Sequence, residues 1–232
     1  MNINLINVSP EIYKDEGLYI YGTDSNILEL TYGKIKQAAA DYWSNTDKIP
    51  ENVKESRAFE RCPFCPLIKT GGLCDAIRPV LPFLDHIDKY VSFDKVKAVY
   101  KEKDKDVIYY SECSMQQALQ YVSVLSLIHY CQAGKKYKKY FLGLIPLMRG
   151  KDLATTLYKN MYFLHKGNEE EISGIIKTFY DEISVSSQNQ AKRLRMICKN
   201  DAFINAIIKT QIITEFLSSD IKEDIKYSFE KD

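Results

Sequence analysis

Apolar and polar residues alternate in the N-terminal part of the chain and recur at helical spacing in the C-terminal part. Ile3 and Leu5 alternate with asparagines, and residues 18–21 and 27–32 flank the turn formers Gly22, Thr23, Asp24, Ser25 and Asn26. This pattern predicts a short strand followed by a β-hairpin with a longer loop. Residues 34–43 read as a helix or an extended arm, and residues 45–56, polar and containing Pro50, as a surface loop. Residues 75–90 read as a short helix interrupted near Pro79 and Pro82. The clearest strand pair is 93–100 with 106–111. Val96, Ala98 and Tyr100 alternate with lysines, and Val107 and Tyr109 repeat the pattern beyond the turn at 103–106. One buried and one wet face is the mark of an antiparallel hairpin.

From Ser114 onward the period changes. Ser114 is a candidate N-cap, with Gln117 as its capping-box partner. Ala118, Leu119, Val122, Leu125 and Ile128 occupy one helical face, and Tyr121, Val124, Leu127 and Cys131 make the other side apolar too. A helix apolar nearly all round belongs in a core, and Gly134 is placed to stop it. Further helices are expected over 151–166, 169–184, 187–199 and 201–229, with Asp152, Asn168 and Asn200 as candidate caps. Strands first and helices later give an α+β fold, with antiparallel strands and a cysteine-rich loop packed on a C-terminal helical region. The natural division is an α+β cysteine-motif region, 1–134, and a helical region, 135–232, packed as one unit.

Charge narrows the partners. Thirty-two basic residues oppose 31 acidic ones, for a formal net charge of +1, so there is no global attraction to nucleic acid or anionic lipid. The most apolar stretch, 118–131, is shorter than the roughly 18–20 residues a membrane span needs. The opening MNINLINVSPEIYKDEG lacks the basic and apolar regions of a signal peptide. The expectation is a soluble, cytoplasmic protein.

In that setting six cysteines point away from disulfides and toward metal or redox chemistry. Cys62-Pro63-Phe64-Cys65-Pro66 is a C-x-x-C knuckle, from which two thiolates can converge. Cys74 follows across a loop bent at Gly71 and Gly72, and Cys113 follows the second strand of the hairpin. Cys62, Cys65, Cys74 and Cys113 are therefore the candidate ligands, and four thiolates suit tetrahedral Zn²⁺. An iron–sulfur cluster on the same sulfurs and a dithiol redox pair at Cys62 and Cys65 are the alternatives. His86, near Asp85 and Asp88, could replace Cys113 as fourth ligand. Cys131 and Cys198 read as core filler, His129 as a core histidine, and His165 as a cation near a helix end.

Lys135, Lys136, Lys138 and Lys139, interleaved with Tyr137 and Tyr140, form a local basic patch that could hold phosphates or stacked bases. A solvated surface is the preferred account, since lysines are favoured after a helix C-terminus. No phosphate-binding glycine loop, nucleophile elbow or H-E-x-x-H motif is present.

The CPFCPL segment at 62–67, with Cys74 downstream and Glu112, Cys113 and Gln116 opening the helix, resembles a family of uncharacterised bacterial proteins known only as a domain of unknown function. The resemblance covers roughly residues 60–165, including Pro146-Leu147-Met148-Arg149 and Thr156-Leu157-Tyr158. It implies a bacterial cytosolic protein and favours Cys113 over His86 as fourth ligand; it implies no activity. The expectation is a non-enzymatic, zinc-pinned module that contacts protein partners.

Overall fold

A computed structural model describes residues 13–22, 26–44, 51–56, 61–70, 73–103 and 107–219. The strand expected at Ile3 and Leu5 and the turn at 104–106 lie outside them. Strand β1 (Gly17–Tyr21) and strand β2 (Ile27–Thr31) form the expected hairpin, with Leu18 opposite Leu30 and Ile20 opposite Leu28. Strand β3 (Lys95–Lys101) pairs with the other edge of β1, and strand β4 (Ile108–Ser114) pairs with β3. The sheet is antiparallel throughout, in the order β2-β1-β3-β4. Side chains alternate across a strand. Leu18, Ile20, Leu28, Leu30, Val96, Ala98, Tyr100 and Cys113 therefore share the face that forms the main core. Tyr13, Tyr19 and Val99 make a small cluster on the other face.

The connection from β2 to β3 is a series of short elements. Helix α1 (Tyr32–Ser44) settles the choice between helix and arm, and α2 (Glu51–Glu55) lies where a loop was expected. Helix α3 (Leu67–Thr70) follows the first cysteines. Pro79 and Pro82 limit the next segment, Arg78–Phe83, to a 3-10 helix before α4 (Leu84–Ile87), because a proline supplies no N–H to an α-helical ladder.

Helix α5 (Met115–His129) starts at Ser114, but the expected capping box does not form: Ser114 makes no side-chain cap hydrogen bond. The first helical N–H groups are satisfied from outside. Met115 N–H donates to the Asp94 carbonyl at 2.8 Å and Gln116 N–H to the Ser92 carbonyl at 3.1 Å. Met115, Ala118, Leu119 and Val122 enter the core under the sheet. Val124, Leu127 and Ile128 enter a second core with Leu153, Leu157, Phe179 and Ile183.

Beyond α5 come a 3-10 segment, Gly134–Phe141, and helices α6 (Gly150–Leu164), α7 (Glu169–Arg195) and α8 (Ala202–Ser219). The break expected near residue 185 is absent, and α7 is one continuous helix. Ser184, Ser186, Ser187, Asn189 and Gln190 interrupt its apolar pattern yet are buried. Asn168 caps α7 as expected, its side chain accepting Glu171 N–H at 3.1 Å. No described helix is long and apolar enough to cross a membrane.

Two aspartates strap the α7–α8 turn to the segment after α4. The Asp88 carboxylate accepts the N–H groups of Lys199 at 2.8 Å and Asn200 at 2.7 Å, and Asn200 Nδ2 donates to the Asp88 carbonyl at 2.5 Å. Reciprocally, Asp201 accepts Ser92 N–H at 2.7 Å and the Ser92 hydroxyl at 3.0 Å. Truncating Asp88 to Ala leaves the two N–H donors without their acceptor. It is expected to cost about 1–2 kcal/mol in urea unfolding, and a change within error would show that the strap does not carry stability.

Candidate metal centre

Cys62 and Cys65 lie on one tight turn, in which Cys65 N–H donates to the Cys62 carbonyl at 3.0 Å. Arg61 closes the loop from outside, its Nη1 donating to the Leu67 carbonyl at 2.5 Å. Cys74 opens a second turn: its carbonyl accepts Ile77 and Arg78 N–H, and the N–H groups of Ile77 and Ala76 favour the charged form of its sulfur. Cys131, just past the end of α5, repeats this arrangement. The N–H groups of Gly134 and Ala133 favour the charged form of its sulfur. Two backbone donors on one sulfur form a knuckle that stabilises negative charge there. Gly134 is required by close approach: a Cβ at that position would lie 2.2 Å from the Leu127 carbonyl oxygen.

The two knuckles are joined by their second residues, Gln132 Nε2 donating to Asp75 Oδ2 at 3.0 Å. Cys62, Cys65, Cys74 and Cys131 all line one cavity of about 20 Å³, together with Arg61, Asp75, Gln132, Gln190 and Arg193. That volume suits a single occupant the size of a water molecule or an ion. Among the described residues, no three or more His, Cys, Asp or Glu side chains are already drawn together as metal ligands would be. The cysteines share the cavity wall without their sulfurs meeting at one point. Burial, more than anything else, raises the Cys74 thiol; the Arg193 guanidinium and the two N–H donors oppose it, and Cys62 adds a smaller upward push. Burial likewise pushes Cys131 up to about 12, with Cys74 and Cys62 adding to it and the Gly134 and Ala133 N–H groups opposing.

Of the four expected ligands, the cavity gathers three and leaves out Cys113. Strand β4 runs on through Ser114, so Cys113 falls inside it, opposite Val96. Strand parity turns its side chain into the core under the sheet. Its sulfur neighbours are the Ser111 side chain, Ala118 N–H, Lys209 and Lys95. His86, the other candidate, is exposed on α4 and does not line the cavity. Cys131, read from the sequence as core filler, stands in the fourth place. Arg193 belongs to a second, weaker basic run, Lys192-Arg193-Leu194-Arg195, that reads from the sequence as solvated surface, yet it is buried; nothing in the sequence singles out Gln190. A signal for Cys131 was present: Cys74-Asp75-Ala76 and Cys131-Gln132-Ala133 are both cysteine, polar residue, alanine, the short side chains that a knuckle tolerates.

The four lysines of the basic patch are exposed on the 3-10 segment Gly134–Phe141. Lys136 pairs with Glu182 at 2.5 Å and lies 5.1 Å from the Tyr137 ring centroid, and Lys139 lies 4.9 Å from that of Tyr140. Half-buried His129 faces Tyr32 and lines a larger cavity of about 400 Å³ between the sheet, α1 and α5, with Tyr100, Tyr121 and Tyr130. His165, next to the end of α6, bridges Tyr140 and Glu171 at 2.9 and 2.7 Å.

Residues 43–230 match the profile of a domain of unknown function, DUF6901. The chain belongs to that family. The DUF6901 match begins within α1 and continues through α7 and α8, further than the resemblance at 60–165 reached. It includes all four cysteines of the cavity and leaves β1 and β2 outside. No curated protein matches the chain, and no solved structure does.

Cys198 is separate from this cavity, beside Asp88 and Asp85. Burial first, then those carboxylates, push its thiol up to about 12, so it stays protonated at neutral pH. Iodoacetamide at pH 8 should label it at least about tenfold more slowly than the unfolded chain, since the thiolate is the nucleophile. Peptide mass spectrometry reads the rate, and equal rates in the folded and unfolded protein would contradict the assignment.

Proposed function

We propose that this protein is a non-enzymatic module whose cysteine loop is pinned by one structural zinc ion on Cys62, Cys65, Cys74 and Cys131. The observation that carries the reading is the pair of knuckles at Cys74 and Cys131. In each, two backbone N–H groups favour charge on the sulfur; the turns are tied through Gln132 and Asp75 and open on the cavity that the C-x-x-C turn also lines. Zinc held by four protein thiolates keeps no open position for substrate, which favours structure over catalysis. A single ion also suits the small volume better than an iron–sulfur cluster, which places several atoms between its cysteines.

All six cysteines are free thiols, in keeping with a reducing compartment such as the cytosol. The exposed run Tyr162, Phe163 and Leu164 at the end of α6 offers apolar surface of the kind protein partners cover. Nucleic-acid binding through the lysine patch is the weaker reading, because Lys136 is already paired with a carboxylate.

Elemental analysis of the purified protein is expected to give about one zinc per chain and no visible absorption. Cys131→Ser should lose most of the metal and unfold at lower temperature, since binding free energy contributes to folding. Cys113→Ser should keep the metal. A brown protein containing iron would select the cluster instead, and retention of zinc by Cys131→Ser with loss in Cys113→Ser would overturn the ligand assignment.

A further inference from the structure

Arg193 is only 6% exposed, and its Nε and Nη2 have no hydrogen-bond partner. It projects from α7 onto the cavity lined by the four cysteines. Gln190, almost one helical turn earlier, is buried on the same wall, and its Nε2 is also without a partner. A buried guanidinium cannot relieve its cost by losing a proton. It needs an anion, and unpaired N–H groups need acceptors. The Arg193 charge already acts on the Cys74 sulfur. A divalent ion held by four thiolates is a dianion, with sulfurs still able to accept hydrogen bonds.

We propose that Arg193 is the counter-charge of the metal centre, with Gln190 as a second donor to its sulfurs. This inference rests on the reading of the cysteines as a metal site. It adds that α7 senses the metal: with the ion bound the guanidinium is compensated, and without it the same group is a buried, uncompensated cation. Arg193 therefore strengthens metal binding and weakens the metal-free fold. A residue that only fills space strengthens both forms or neither.

The test uses the full chain, zinc alone as the probe, and the variants Arg193→Met and Arg193→Lys. Competition with a chromogenic chelator should show zinc affinity at least tenfold weaker in Arg193→Met and partly restored in Arg193→Lys. In excess EDTA, Arg193→Met should melt at or above the wild-type temperature, because an apolar chain of similar length removes the buried charge. Wild-type zinc affinity in Arg193→Met overturns the proposal and leaves the zinc site standing, as does a metal-free melting temperature that falls as far as that of the loaded form. A wild-type protein that takes up no zinc overturns both. Hydrogen exchange on the wild-type chain gives an arm that needs no variant. Removing zinc should speed exchange across residues 190–198, and unchanged exchange there contradicts the proposal.

Discussion

A helix that is apolar nearly all round has to be covered nearly all round, and α5 imposes that requirement on this fold. The sheet and α8 cover one flank, joined by the buried contact of Ser123 and Thr210 hydroxyls at 3.1 Å. The 3-10 segment, α6 and α7 cover the other. Because α5 belongs to both cores, its two ends have little freedom. The end of β4 must feed it directly, and the chain that leaves it must turn back at once. Gly134 against the Leu127 carbonyl is the consequence of that turn. Cys113 lies just before the helix and Cys131 just after it, so the placement of α5 decides which of them can reach the loop carrying Cys62, Cys65 and Cys74.

Most of the fold could be read from residue patterns, because those patterns are local. The hairpins follow from alternation in residues 18–32 and 93–111, and the buried character of α5 from its lack of a polar face. What escaped were features decided by distant partners. The capping box at Ser114 lost to the carbonyls of Asp94 and Ser92, which no helix rule anticipates. The serines of α7 looked like a break because small polar residues favour caps and turns, whereas packing against α8 keeps the helix whole.

The cysteine cluster divides along the same line. Cys62, Cys65 and Cys74 are close in sequence, and the cavity brings them together. The fourth member depended on two facts invisible to spacing: β4 ends three residues later than its pattern suggested, and α5 ends where a knuckle can form. Extending β4 through Cys113 fixes that side chain by parity. A thiol on the core face of a central sheet cannot turn toward a loop outside it. Cys131 was hidden by its own apolar surroundings, since the helical face expected for it fitted a core residue, whereas α5 ends at His129.

Arg193 brings the helical layer into the same account. A sheet and a helical bundle that met only through apolar contacts would tolerate small shifts, because such contacts have little directionality. A charged group at the junction is less forgiving. In the proposed metal centre, the guanidinium on α7, the knuckle after α5 and the knuckle before the Arg78–Phe83 segment would have to keep their relative places for the charges to balance. The cost of burying Arg193 is high only while the sulfurs opposite it are neutral. Once they are thiolates, the same burial strengthens the attraction, since little water remains to screen it. Elements far apart in sequence then share one electrostatic condition, and the register between loop and helices is set by charge as well as by shape.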